Sequence, residues 1–155
     1  MPSQINLKST AMKKTIIDVI SILFILLFVY AAMNKLLDVE KFQVQIGQSP
    51  LLTKIAPIVA WLIPLTEILV ALALAFDRSK LLGLYISFGL MVMFTLYIVA
   101  ILNFSDHIPC ACGGVIDKLG WTEHLLFNIG FVILGLVGIL LSSPKRRESK
   151  NPIVA

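Results

Sequence analysis

The amino-acid sequence predicts an all-α integral membrane protein that folds as a bundle of four transmembrane helices. Its 155 residues are 58% hydrophobic and only 14% charged, which is far from the average soluble domain. A soluble domain of this length has too much surface in water to hide so many apolar side chains. Lipid is therefore expected to cover most of the apolar surface.

Four apolar stretches are each long enough to cross the bilayer, which requires roughly 20 residues in a helix. Helices are predicted because a lone strand cannot satisfy its backbone polar groups in lipid. The membrane domain covers residues 15–141, with spans at about 15–37, 55–76, 81–103 and 121–141. Residues 1–14 precede it, and residues 142–155 form a charged tail that is predicted to be disordered. The first stretch exceeds the 7–15 residues of a signal-peptide core, so an uncleaved helix is expected.

The distribution of basic residues predicts the direction of the helices. Nine of the 13 Lys and Arg residues fall on one side of the four spans, and four fall on the other. The positive-inside rule then places both termini and the 77–80 loop in the cytoplasm. The longer connections, 38–54 and 104–120, are expected to face outward. The basic residues flank apolar stretches, so membrane lipid is the expected partner and nucleic acid is not.

The only two cysteines, Cys110 and Cys112, are separated by one residue in the second outward connection. A disulfide that closes so short a loop stabilises the fold little, and its tight geometry makes it easy to reduce. On the outer face, disulfides can form and persist. The pair is therefore predicted to exchange electrons and to form the catalytic centre of any redox activity.

The neighbours of the cysteines favour an accessible, bent loop. Pro109 lacks a backbone donor, and Gly113 permits unusual backbone angles. A charged His107 would favour the reactive thiolate, although a solvated interfacial histidine is equally consistent with the sequence. Two alternatives remain open: inert cysteines in a loop, and a metal site formed by both thiolates with His107 or His124. No metal is expected.

Polar residues inside the spans are further candidates for a functional site. Glu67 lies about 18 Å from the outer end of the second span, where an acidic group usually faces the bundle interior. It is expected to take up protons, to pair with Lys35, or to fix helix packing as a neutral hydrogen-bonded group. Lys35, beside Asn34 at the outer end of the first span, could instead snorkel to the head groups. In the fourth span, His124 and Asn128 share one face.

Two prolines precede Glu67 in the second span, Pro57 and Pro64. A proline inside a helix lacks the backbone N–H and clashes with the preceding turn. Both are predicted to kink this span and to free backbone carbonyls near Glu67.

Three segments carry a resemblance to a known family. Residues 30–38 (YAAMNKLLD) with Phe42, residues 61–67 (WLIPLTE) and residues 110–114 (CACGG) resemble patterns of the MauE/DoxX-like membrane proteins, in particular the MauE branch associated with methylamine utilisation. The likeness covers about residues 15–141. The chain differs from the family at Asn34, where a glycine-containing turn is common, and at Gly113, where many members have Phe.

The resemblance implies an accessory role in the maturation of disulfide-bearing extracytoplasmic proteins, beside a thioredoxin-like partner, and a place in the inner membrane of a bacterial cell. DoxX relatives are linked to quinone-coupled oxidation. No cysteine lies in the spans or on the inner side, so a quinone held near Glu67, Asn34 and Lys35 is the expected electron acceptor. Whether the chain is itself an enzyme, a thiol–disulfide oxidoreductase, stays open. The alternative is a non-enzymatic membrane scaffold or small-solute carrier for a partner protein, whose function would survive replacement of both cysteines by Ser.

Overall fold

A computed structural model of the protein describes residues 2–48, 52–104 and 120–142. Within these ranges the chain is helical and contains no strand. The helices are α1 (Pro2–Leu37), α2 (Val39–Gly47), α3 (Ala56–Ala75), α4 (Lys80–Phe104) and α5 (Trp121–Ser142), with a 3₁₀ turn at Thr53–Ile55 before α3.

Four of these helices are long and apolar enough to cross a membrane, which confirms the predicted fold class. The candidate spans are Thr10–Leu37, Thr53–Ala75, Lys80–Asn103 and Thr122–Ser142. Helix α1 begins at Pro2, well before the apolar stretch. The apolar pattern marks the part of a helix that lies in lipid, and residues 3–12 contain no Gly or Pro that would end the helix before it.

The four spans alternate in direction around a closed bundle. Helices α1 and α4 each pack against both α3 and α5. On α5, Gly135 lies against Phe24, whereas the later Gly138 lies against Ile20 of α1 and Leu84 of α4. Helix α5 is therefore antiparallel to α1. We call the end where α1 begins and α5 ends the basic end, and the opposite end, with both longer connections, the loop end.

Packing of small and aromatic residues holds the centre of the bundle. Phe24 stacks on Phe28 with ring centroids 5.8 Å apart and meets Phe131 of α5 edge-on at 5.3 Å. Because lipid is as apolar as the core, close contact between helices has to supply the stability, and glycines allow that approach. The buried cluster consists of Ile20, Phe24, Phe28, Val70, Ala71, Leu74, Leu84, Met91 and Ile139.

Helix α2 lies in the connection 38–54, for which the sequence predicted no helix. Its first turn is capped by Asp38, whose carboxylate accepts a hydrogen bond from the Lys41 backbone N–H at 3.2 Å. Phe42 and Ile46, one turn apart, are buried against the start of α3. This short helix therefore covers the loop end of α3.

The two prolines of α3 have different effects. Pro57 stands in the first turn of the helix, where no backbone donor is required, so the prediction that it kinks the span is wrong. Pro64 lies inside α3 and is fully buried. It cannot donate to the carbonyl of Ala60, four residues earlier, so one backbone acceptor is left without its helical donor in the turn before Glu67.

Candidate functional site

The predicted catalytic segment lies outside the described residues. It contains Cys110, Cys112, His107, Pro109 and Gly113, all within residues 105–119. The described chain meets this segment at the end of α4 and at the start of α5, both of which lie at the loop end of the bundle. The connection therefore leaves from and returns to that end.

Lys35 and Glu67 form an ion pair between the last turns of α1 and the middle of α3. The Lys35 ammonium donates a hydrogen bond to Glu67 Oε1 at 2.7 Å and makes a longer contact of 3.4 Å with the carbonyl of Ala31. Helical side chains lean toward the start of their helix, so Lys35 reaches back from the end of α1 into the bundle. Of the alternatives open for Lys35, pairing with Glu67 is the one observed.

Both side chains of this pair are largely buried inside the bundle. Only 13% of the Lys35 side chain and 2% of the Glu67 side chain are exposed. Glu67 lies eleven residues after Ala56, about 16 Å along α3 from its start. A single charge at such depth is unfavourable, and an opposite charge with good geometry offsets much of that cost. The Phe42 ring of α2, with its centroid 5.7 Å from the ammonium, adds a cation–π contact.

Three buried polar atoms have no hydrogen-bond partner within the described part of the chain: Glu67 Oε2, Asn34 Nδ2 and Asn128 Nδ2. Glu67 is 1% exposed and Asn128 is 4% exposed. A buried polar group without a partner costs about 1–3 kcal/mol, and folded proteins keep few of them. One carboxylate oxygen and two amide donors are therefore available to a further partner.

His124 lies at the depth of the ion pair. The contact between Phe24 and Phe131 sets the register of the antiparallel helices α1 and α5. Seven residues beyond Phe24 is Ala31, the residue contacted by Lys35, and seven residues before Phe131 is His124. Lys35 is close enough to His124 to act on it electrostatically. Asn128 is one turn deeper on the same face of α5.

The structure thus brings together several of the predicted supporting residues. Lys35 contacts Glu67 directly, Asn34 adjoins Lys35 in α1, and His124 lies at the same depth on α5. Asn128 was recognised only as a neighbour of His124 and not as a site residue. Its signal was present in the sequence, because an amide in the middle of an apolar span needs a partner.

The residues described by the structure include no group of three His, Cys, Asp or Glu that could hold a metal ion. The alternative of a metal site formed by the two thiolates involves residues 107–112, which lie outside the described ranges. The described residues therefore do not bear on that alternative.

One comparison with known proteins gives a match. The model of a family described as methylamine utilisation protein MauE matches residues 13–141, which contain nearly all of the four spans together with the two cysteines. No curated protein and no solved structure matches the chain at a significant level.

Proposed function

The chain belongs to the MauE family of four-helix membrane proteins, and from this we propose that it carries out thiol–disulfide exchange through Cys110 and Cys112. The observation that carries the proposal is the Cys-Ala-Cys sequence in the connection between the loop ends of α4 and α5. A pair so close together suits exchange better than structural support. The proposed role is the maturation of disulfide-bearing extracytoplasmic proteins, with a thioredoxin-like protein as partner.

The exchange needs no group beyond the two cysteines and the partner. A partner thiolate attacks one sulfur of the Cys110–Cys112 disulfide, a mixed disulfide forms, and the other cysteine leaves as a thiolate. The second partner thiolate then displaces the bound cysteine. The partner now holds a disulfide and the pair is a dithiol, so two electrons and two protons have passed to the pair. The same steps in reverse would reduce a partner.

Quinone coupling is the second part of the proposal, and it would set the direction as oxidation of the partner. A bound quinone supplies an acceptor for the two electrons and two protons that the dithiol releases when its disulfide re-forms. The polar atoms without partners fit such a group, because quinone oxygens accept hydrogen bonds and Asn34 Nδ2 and Asn128 Nδ2 are donors. Lys35 and Asn34 would hold the ring oxygens, and Glu67 Oε2 would take up a proton and pass it to a ring oxygen, so that the quinone becomes a quinol.

The proposed orientation places the loop end outside the cytoplasm and the protein in a bacterial inner membrane. Lys13, Lys14, Arg78 and Lys80 stand at the basic end of the described bundle, in agreement with the positive-inside rule. The cysteines would then face the compartment in which disulfides persist.

Trapping of mixed disulfides in cells tests the exchange. The variants Cys110→Ser and Cys112→Ser each keep one thiol, which can attack the disulfide of an oxidised partner. Neither variant has a second cysteine to displace that partner, so at least one of them should accumulate a covalent complex with it. The complex should disappear on reduction and be absent from the double Ser variant. Absence of any such complex from both single variants, together with permanently reduced thiols in the unmodified chain, would contradict the proposal.

The alternative function, a scaffold or solute carrier, predicts that replacement of both cysteines has no effect. Under that function, cells that carry the double Ser variant would mature the same extracytoplasmic proteins as cells with the unmodified chain. Under the exchange proposal, maturation in those cells falls to the level of cells that lack the chain. The buried Lys35–Glu67 pair fits either function, so the cysteines decide between them.

A further inference from the structure

A second polar site lies at the basic end of the bundle, separate from the Lys35–Glu67 pair. Between residues 14–25 of α1 and the α3–α4 turn, a cleft of about 350 Å³ opens toward the surface. Four charged side chains line it: Lys14, Asp18, Asp77 and Lys80. The wall continues along α1 with Ile22 and Ile25, deeper in the span. The cleft is thus charged at the membrane boundary and apolar toward the membrane interior.

The charges in the cleft are unevenly paired. The Lys80 ammonium binds two carboxylates, Asp18 at 2.7 Å and Asp77 at 2.6 Å, so this group carries one surplus negative charge. Lys14 is exposed and, among the described residues, has no ion pair within contact distance, although its charge acts on Asp77. The cleft therefore offers one available cation beside one surplus anion.

We propose that this cleft binds a phospholipid whose head group carries both a phosphate and a primary ammonium, such as phosphatidylethanolamine. The phosphate would pair with Lys14, the ammonium would hydrogen-bond to Asp18 and Asp77, and an acyl chain would lie along Ile22 and Ile25. The position of the cleft supports a lipid, because Lys80 is the first residue of a candidate span and Asp18 lies within the first. The site is separate from the cysteines, so it does not depend on the proposed redox function.

The same charges disfavour the other common head groups. An anionic glycerol head group brings no cation for Asp18 and Asp77, and its phosphate would meet their surplus negative charge. A choline head group has a cation, but its quaternary nitrogen has no hydrogen to donate to a carboxylate. The primary ammonium is the group that satisfies both carboxylates.

Lipid binding to the purified full chain tests the proposal. The chain is reconstituted in nanodiscs with equal amounts of phosphatidylethanolamine, phosphatidylcholine and phosphatidylglycerol, and retained lipid is counted by native mass spectrometry after release into detergent. Phosphatidylethanolamine should be retained about tenfold over the other two, the ratio expected for a charge-assisted hydrogen bond. Free phosphoethanolamine, which lacks the acyl chains, should not compete at equal concentration, because it makes no contact with the apolar wall.

Two variants assign the contacts. Asp18→Asn should remove the preference for phosphatidylethanolamine over phosphatidylcholine, and Lys14→Gln should weaken retention of both. Lys14 has no bonded partner among the described residues, so Lys14→Gln should not disturb folding. Glu40→Gln and Lys41→Gln make the same charge changes at exposed positions of α2 and should alter neither result.

Three outcomes would overturn the proposal. They are equal retention of the three lipids by the unmodified chain, preferential retention of phosphatidylglycerol, and a phosphatidylethanolamine preference that persists in Asp18→Asn. The second would indicate only the general attraction of a basic flank for anionic lipid. The third would place the lipid elsewhere on the bundle.

Discussion

Lys35 of α1 and Glu67 of α3 lie 2.7 Å apart, nitrogen to oxygen, across the interior of a bundle whose other contacts are mainly apolar. The pair joins the last turns of the first span to the middle of the second. Because lipid offers neither charge a substitute for water, each side chain depends on the other.

Removal of one member of this pair should destabilise the bundle strongly. Lys35→Met and Glu67→Leu each leave a buried charge without its partner, which costs about 3–5 kcal/mol. The double variant leaves no charge and should be less destabilised than either single variant. Unfolding by sodium dodecyl sulfate in mixed micelles, followed by circular dichroism, measures the three free energies of unfolding.

Glu40→Gln is the control for this cycle, because Glu40 is exposed on α2 and its loss should change stability by less than about 0.5 kcal/mol. Additive effects of Lys35→Met and Glu67→Leu would show that the two charges do not stabilise one another.

The first turn of α4 should tolerate no side chain at Gly83. A Cβ added there would lie 2.9 Å from Leu74 Cδ2 and 3.1 Å from the Leu74 backbone nitrogen. Gly83→Ala must therefore push α3 and α4 apart, and a loss of about 1–3 kcal/mol in the free energy of unfolding is expected.

Gly89 provides a matched control on the same helix, since a Cβ added there meets nothing within 4 Å. Gly89→Ala should be neutral, or stabilising by up to about 1 kcal/mol through helix propensity. Equal effects of the two substitutions in the same unfolding assay would contradict the close approach at Leu74.

The spans and the interior position of Glu67 could be predicted because each depends on one continuous segment of the sequence. The length of an apolar run indicates a span, and a charge within that run is expected to face the bundle interior. The pairing of Glu67 with Lys35 was only one of the alternatives. The sequence does not show whether a lysine near a helix end extends to the lipid head groups or into the bundle interior. The bond between Lys80 and Asp18, 62 positions apart, required the register of α1 against the α3–α4 turn. Helix α2 was not predicted because nine residues of mixed polarity give only a weak helical pattern. Two features of the sequence do indicate a helix there: Asp38 is a suitable N-cap, and the apolar residues Phe42 and Ile46 are one turn apart.

The pKa of Asp77 should depend on Lys80. The hydrogen bond from Lys80, with its charge and a smaller contribution from Lys14, lowers the pKa of Asp77 below the ordinary value of 3.8. A carboxyl whose pKa is lower in the folded state stabilises the fold above its unfolded pKa. That contribution is lost as the pH falls below about 3.8 and through the folded pKa.

Carbon-13 NMR of the aspartate carboxyls in detergent can follow this titration. Lys80→Met should raise the pKa of Asp77 toward 3.8, and Lys14→Gln should raise it less, because Lys14 acts through charge alone. Added salt should also raise it, since the Asp77 side chain is 81% exposed. An Asp77 titration that is the same in Lys80→Met and the unmodified chain would show that the bond is not formed in solution.

Asn128 should affect function and stability in opposite directions. Its amide nitrogen is buried without a hydrogen-bond partner among the described residues, so Asn128→Leu removes an unsatisfied group and should raise the free energy of unfolding by about 1 kcal/mol. If the same amide donates to a quinone oxygen, this variant should slow reoxidation of Cys110 and Cys112 by an added quinone analogue about tenfold.

Asn103→Leu is the matched control for this last substitution. Asn103 is an exposed amide near the end of α4, and it already donates to the carbonyl of Val99 at 2.7 Å. Its replacement should leave reoxidation unchanged. An Asn128→Leu variant that is stabilised and yet reoxidised at the normal rate would remove Asn128 from the acceptor site. A purely structural amide predicts that result, because its loss changes packing and hydrogen bonding but no contact with the acceptor.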